Sequence, residues 1–342
     1  METVKPSINN SINFGPLFIA LAAMLWASDA FVRTELEQKL SATQVVLIEH
    51  LLIVIIISPL VIRYIPKLLE LNSKEIFAIL FIGIGGSALA TIALTEGFWV
   101  GGNFEFVAVV VFLQQTQPII AVGLAHLLLK ERLPRSYYWL ALLSFFGVIL
   151  IIFPTLTGGT NKISDLSNIF DNLQKEDGAR AALYGLAAAI LWGSSTVFGR
   201  YLMEHGEQKP VYFQMTAYRF FIAFVFLVII TPFYSRADGY PSTDTTLESD
   251  IFIRLVYMAM VVGLLSLVLY YYGLKSTHAS VSAIAELGFP FSFYILMPLR
   301  DVDYPETIQI IGSIILVIAA TLMSYTYGKL DTENQNIKAN PN

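Results

Sequence analysis

Ser282, Glu286 and Pro290 recur every four residues in an apolar stretch, the spacing that stacks side chains on one face of a helix. A carboxylate one turn before a proline, which leaves a backbone carbonyl without its helical partner, can hold a proton or accept from an N–H or O–H group. Gln114, Gln117 and Pro118, with Ala121, set a corresponding amide-bearing face in an earlier stretch. Asp29 follows Trp26 by about one turn, and Ser195 follows Trp192 in the same way. Hydroxyls at Ser87, Thr91 and Thr95, and at Ser266 and Tyr270, form two further polar stripes. Arg219, on a face with Tyr212, Met215 and Thr216, and the pair Glu49 and His50 are further ionisable groups within apolar segments.

Each group also has a plainer role. Small polar residues pack membrane helices together, and amides hydrogen-bond between helices without touching a ligand. Arg219 is expected in a buried ion pair or a carbonyl clamp ahead of a ligand contact. Glu49 and His50 lie about two turns inside a segment end, and Glu49 is expected to reach interfacial water. Tryptophans anchor at membrane interfaces, but Trp26 and Trp192 fall within their segments, where a cavity wall is the competing role.

The solvent is set by composition. Hydrophobic residues make up 56% and charged residues 14%, with a mean hydropathy of +0.64; a soluble domain carries about 25% charged residues. The net charge of −5 therefore belongs to loops and tails and points to no nucleic-acid partner. There is no cysteine, which excludes thiol catalysis, disulfides and cysteine metal sites. His50, His126, His205 and His278 show no metal-ligand spacing, so neither a metal nor a cofactor is expected. Walker A, G-x-S-x-G and dinucleotide patterns do not occur, which argues against an ATP-driven pump and a serine hydrolase.

A bilayer-crossing helix needs roughly 20 apolar residues. Such segments run at about 14–32, 42–62, 76–95, 106–129, 137–156, 181–203, 211–231, 252–274, 279–299 and 308–327. In hydrocarbon each backbone group must be satisfied within its own segment, so the spans are expected to be helices. The expected fold is an all-α integral membrane protein of ten transmembrane helices. Lysine and arginine concentrate on the side holding both termini, most densely in the connectors with Arg63, Lys67 and Lys74 and with Lys130, Arg132 and Arg135. Both termini are therefore expected in the cytoplasm.

The chain also repeats itself. Ala22 to Arg33 (AAMLWASDAFVR) and Ala188 to Gly199 (AAILWGSSTVFG) share Ala22/Ala188, Ala23/Ala189, Leu25/Leu191, Trp26/Trp192 and Ser28/Ser194 at one constant offset. Pro118 and Pro290 align, which sets Gln114 against Glu286, and Gly147 and Gly312 each follow within the next span. Thr43, Val46 and His50 align with Tyr212, Met215 and Arg219. Five spans per copy is an odd number, so the second copy enters the membrane from the opposite face. Inverted repeats are a transporter architecture with the substrate site near the midplane.

These residues resemble the EamA family of the drug/metabolite transporter superfamily. The likeness rests on the LWAS and LWGS cores, Pro118 and Pro290, the KERLP close of span four, and Gly147 and Gly312; it extends over about 14–327. The acid closing span nine is Asp301, a departure from the usual glutamate. The resemblance implies two inverted five-helix repeats, 14–156 and 181–327, joined by a 157–180 loop and flanked by cytoplasmic tails 1–13 and 328–342. It also implies export of small metabolites, amino acids or drugs.

The expected activity is secondary transport by alternating access across a cytoplasmic, bacterial inner membrane. The cargo expected from Asp29 and Glu286 is an amino acid or amine-bearing metabolite moved outward, either proton-coupled or facilitated. A small-molecule substrate and the lipid bilayer are the expected partners. A membrane-embedded transferase is the alternative, and a channel ranks below it. The loops show no reactive cluster of the kind a transferase needs.

Overall fold

The computed structural model describes residues 13–36, 39–100, 107–114, 116–130, 133, 135–156, 176–204, 206, 210–237, 248–296, 306–319, 321–322 and 326. They are helical, with no strand among them. The expected tails, apart from Asn13, and most of the expected 157–180 connector lie outside these residues. The sixth segment starts at Glu176, inside that connector, because Ala181, Ala182 and the residues around them continue a good helical run.

In chain order the helical segments are Gly15–Leu36, the bent pair Ala42–Ile56 and Ser58–Glu70, and Ser73–Trp99. Next come Val107–Gln114 followed by Gln117–Leu124, then Arg135–Leu156, Glu176–Glu204 and Tyr212–Ala237. Ser249–Leu274, the pair Ala279–Ala285 and Gly288–Leu296, and Thr307–Ala319 complete the order. Five of these helices are long and apolar enough to cross a membrane, and the bent pair makes a sixth if it is one span. Ile119–Leu129, Arg135–Ile151 and Thr307–Ala319 are apolar but shorter. The second segment bends by 77° where Pro59 opens its second helix; the proline lacks the N–H that a straight helix would use.

Polarity is arranged inside out. Ile62, Leu127, Trp139 and Phe233 are each more than 70% exposed, whereas Arg33 is 1% exposed and Glu49 5%. An outer surface of this kind suits hydrocarbon, and the charges are left to one another.

The packing exchanges partners between the halves. The first segment packs on the eighth and ninth, as the sixth packs on the third and fourth, while the second packs on the seventh and the fourth on the ninth. A Cβ on Gly147 would stand 2.8 Å from the Gly312 carbonyl oxygen, and one on Gly312 would stand 2.6 Å from the Gly147 oxygen. The glycines aligned by the repeat thus meet face to face, so the fifth and tenth segments approach backbone to backbone.

The third and eighth segments share another irregularity. Phe81–Leu89 and Met258–Leu265 are π-helical, widening the helix in mid-course. Such widenings recur at functional sites in proteins.

Gly312→Leu is expected to force the fifth and tenth segments apart at a cost of about 1–3 kcal/mol, typical of overpacking. Gly123→Ala, with nothing within 4 Å of the new methyl, is the matched control. Thermal unfolding in detergent should show a lowered midpoint for the first variant and none for the second.

Candidate functional site

Two helices of the protein break at the positions that the repeat aligns. The fourth segment stops at Gln114 and resumes at Gln117, with Pro118 second in the new helix. The ninth stops at Ala285 and resumes at Gly288, with Pro290 third in the new helix. A proline in a first turn needs no backbone donor, so each helix can restart there. Glu286 lies in the second break, where its carbonyl accepts from Phe289 N–H at 3.0 Å.

The breaks face each other. Gln117 donates through its amide to the Glu286 carboxylate, and Gln114 donates to the Gln117 side-chain oxygen at 2.9 Å. Ser282 donates to Glu286 at 3.3 Å, and Thr196 does so at 3.5 Å. Thr196 also shares a 2.8 Å hydrogen bond with the Tyr270 hydroxyl. One carboxylate is thus held by side chains from the fourth, sixth and ninth segments.

A second cluster lies toward the far end of the first segment. That helix is interrupted at Ser28, and Asp29–Arg33 forms a short helix of its own. Arg33 donates to Asp29 Oδ2 at 2.7 Å, to Glu49 Oε2 at 3.1 Å and to Thr95 Oγ1 at 3.1 Å. All four side chains are buried. The sequence expectation for Glu49 needs correction: it is 5% exposed and paired with Arg33, so it does not reach interfacial water. Two carboxylates one helix apart supply what a buried guanidinium requires, and the pairing draws all three inward.

Arg219 is a carbonyl clamp. It donates to the Gly86 carbonyl at 2.9 Å, to Ser87 Oγ at 3.3 Å and to the Tyr271 hydroxyl at 3.5 Å. His50, its counterpart in the first repeat, shares a 3.0 Å hydrogen bond with the same Ser87 hydroxyl. The Trp192 indole N–H donates to the Gly86 carbonyl at 2.8 Å. Gly86 sits in the π-helical stretch, where displaced backbone carbonyls are available to such donors.

These groups surround one cavity, which holds about 1040 Å³ of atom-free space with its open mouth included. Trp26, Asp29, Thr91, Gln114, Gln117, Trp192, Ser195, Tyr270 and Glu286 all line it, and so do Glu49, His50 and Arg219. Ser282, which bonds Glu286, and Pro290 are buried and are not among the lining residues, and Pro118 contributes the helix restart. Arg33, Ser87 and Thr196 also line the cavity, as do the apolar Leu94, Phe220, Val262, Leu267 and Phe289. The Asp29-to-Arg33 spacing of four residues was a readable sign of an intrahelical ion pair. The apolar lining residues carry no mark that separates them from the rest of so apolar a chain. Among the described residues no group of three His, Cys, Asp or Glu side chains is placed to hold a metal ion.

Both halves of the chain, residues 13–153 and 179–325, match the EamA-like transporter family. The chain belongs to this family. The riboflavin transporter ImpX of Fusobacterium nucleatum subsp. nucleatum is 28% identical over 315 residues, spanning 91% of this chain and 97% of the relative. A solved crystal structure shares the fold with a TM-score of 0.66 at 14% identity, covering 91% of this chain and 95% of its own. This EamA-family chain is accordingly a multi-pass membrane protein and a small-molecule transporter, with the transporter domain present twice.

Arg33→Met would leave the Asp29 and Glu49 carboxylates buried without their partner. The expected loss is about 3–5 kcal/mol, as for other broken buried pairs. The combined change Asp29→Asn, Arg33→Met and Glu49→Gln should recover most of it. Thermal midpoints of the two purified variants check both statements, and equal midpoints would contradict them.

Proposed function

We propose that the chain is a secondary transporter of ten membrane spans arranged as two inverted five-helix repeats. It carries a small aromatic molecule through the cavity by rocking one half against the other. The observation behind this reading is the meeting of two broken helices, one from each repeat, through Gln117 and Glu286 at a cavity that both repeats wall. Broken helices at a repeat interface leave polar groups available where hydrocarbon would otherwise forbid them.

The chemistry of the wall favours a substrate with a flat ring. Trp26, Trp192, Tyr270, Phe220 and Phe289 supply aromatic surface, and the Trp26 and Tyr270 rings already stand 5.4 Å apart. Gln114, Thr91 and Ser195 add hydrogen-bonding groups between them. A flavin, with a planar ring and a polyol chain, is complementary to both sets, and the riboflavin transporter relative points the same way. Uptake or export follows the gradient to which transport is coupled. Glu286, as the carboxylate of the inter-repeat link, is the proposed proton carrier.

Export of amino acids or amine-bearing metabolites is the second reading. Asp29, Glu49 and Glu286 outnumber Arg33 and Arg219 around the cavity, and an excess of carboxylates favours a cation. A bacterial inner membrane with cytoplasmic termini is the setting proposed for either substrate.

Proteoliposomes holding the purified protein should carry riboflavin, recovered chemically unchanged, faster than empty liposomes. Glu286→Gln should lower that flux at least about tenfold, the effect of losing roughly 1.4 kcal/mol of stabilisation, without lowering the thermal midpoint. Unchanged flux would remove Glu286 from the mechanism. Flux of amino acids with none of riboflavin would favour the second reading, and altered riboflavin would contradict transport altogether.

A further inference from the structure

Among the described residues, two buried polar atoms of the cavity wall have no hydrogen-bond partner from the protein, Asp29 Oδ1 and Ser195 Oγ. Their residues are 7% and 5% exposed. They also occupy equivalent positions in the two repeats, each three residues after the shared tryptophan. Burying a polar atom unsatisfied costs roughly 1–3 kcal/mol, more for a charged one. Two such atoms at one aligned position of one cavity are costly to leave unpaired, and a ligand can satisfy both.

The surroundings of each atom keep it without a partner from the protein. At Asp29, Arg33 holds Oδ2 at 2.7 Å and so fixes the carboxylate with Oδ1 left over. At Ser195, the facing residue is Gly86, where a Cβ would stand 1.8 Å from Ser195 Oγ and 2.7 Å from its Cβ. Gly86 therefore lets the sixth helix come close, and its own carbonyl is already occupied by Trp192 and Arg219. Ser195 is left with no protein partner at hand.

The geometry points to Asp29 and Ser195 as the polar anchors of the substrate, with Asp29 selecting for a hydrogen-bond donor. An ionised carboxylate oxygen only accepts, so the group set against Asp29 Oδ1 must carry N–H or O–H. A hydroxyl both donates and accepts, so Ser195 takes either kind of group and selects less. The two repeats share a fold and divide the recognition unequally: the first demands a donor and the second tolerates either partner. This assignment rests on the transport reading for its site, and a ring imide, a polyol or an amine can each supply the donor.

Full-length protein in nanodiscs distinguishes these sources by direct binding of three flavins. Riboflavin has both an imide N–H and a polyol, 3-methylriboflavin lacks the imide donor, and lumiflavin lacks the polyol. In the wild type one of the two analogues should bind at least tenfold more weakly than riboflavin. Asp29→Leu should weaken riboflavin and collapse that ratio to within about threefold, while Ser195→Ala should weaken binding less and preserve the ratio. Thr95→Val, which removes another Arg33 partner behind the wall, separates loss of the Oδ1 contact from a disturbed ion cluster and should keep the wild-type ratio. Wild-type ratios in Asp29→Leu would overturn the assignment, and so would a collapse in Thr95→Val.

If the wild type binds no flavin, the flavin reading fails by itself. The same variants are then read with phenethylamine and its trimethylammonium counterpart, which has the charge but no N–H. A wild-type preference for the amine of at least tenfold, lost in Asp29→Leu, would sustain the donor rule. Equal binding of the two by the wild type, or binding of neither, would overturn it.

Discussion

Charges and backbone dipoles cannot be left unpaired in hydrocarbon, and this constraint organises the whole chain. The outer surface is apolar, so every ionisable side chain within the segments must find partners inside. Arg33 answers by gathering Asp29, Glu49 and Thr95 from three segments of the first repeat. Arg219 answers by taking a backbone carbonyl and two hydroxyls. The polar interior created in this way is the cavity wall. The pairing that makes the charges tolerable therefore also places them on the cavity wall.

The same constraint accounts for the irregular helices. A broken helix exposes backbone donors and acceptors, which can persist at membrane depth only inside protein or beside a cavity. The breaks at Gln114 to Gln117 and at Ala285 to Gly288 satisfy this by facing each other. The π-helical stretches of the third and eighth segments lie against the same space, with Ser87, Val262 and Gly263 on its wall. Close backbone approach at Gly147 and Gly312, by contrast, ties the halves together away from the site.

Much of this was legible in the sequence because the repeat could be read twice. The aligned prolines fall beside both breaks, the aligned glycines fall at one contact, and the alignment of Gln114 with Glu286 falls beside the bond that Gln117 makes. His50 and Arg219, aligned by the repeat, converge on one hydroxyl. What could not be read is equally physical. Glu49 read as an interfacial group because its partner Arg33 lies sixteen residues away on another segment, a pairing that only the packing reveals. Phe220, Val262 and Phe289 are ordinary apolar residues until packing selects them. Membrane length was also misleading: segments that read as continuous spans are divided by bends and breaks at Pro59, Thr116 and Glu286.

The two halves touch at both ends of the first segment. Asn13 donates to the Ser276 carbonyl at 2.6 Å at one end, and Lys39 pairs with Glu248 at 3.5 Å at the other. The alternating access proposed for the chain requires these ends to open in turn. With no native cysteine in the chain, spin labels on cysteines placed at 39 and 248, and separately at 13 and 276, report each end without background. Double electron–electron resonance distances, taken with and without saturating riboflavin, should change in opposite directions at the two ends. Distances that stay fixed at both ends, or lengthen at both together, would contradict a cavity served by rocking halves.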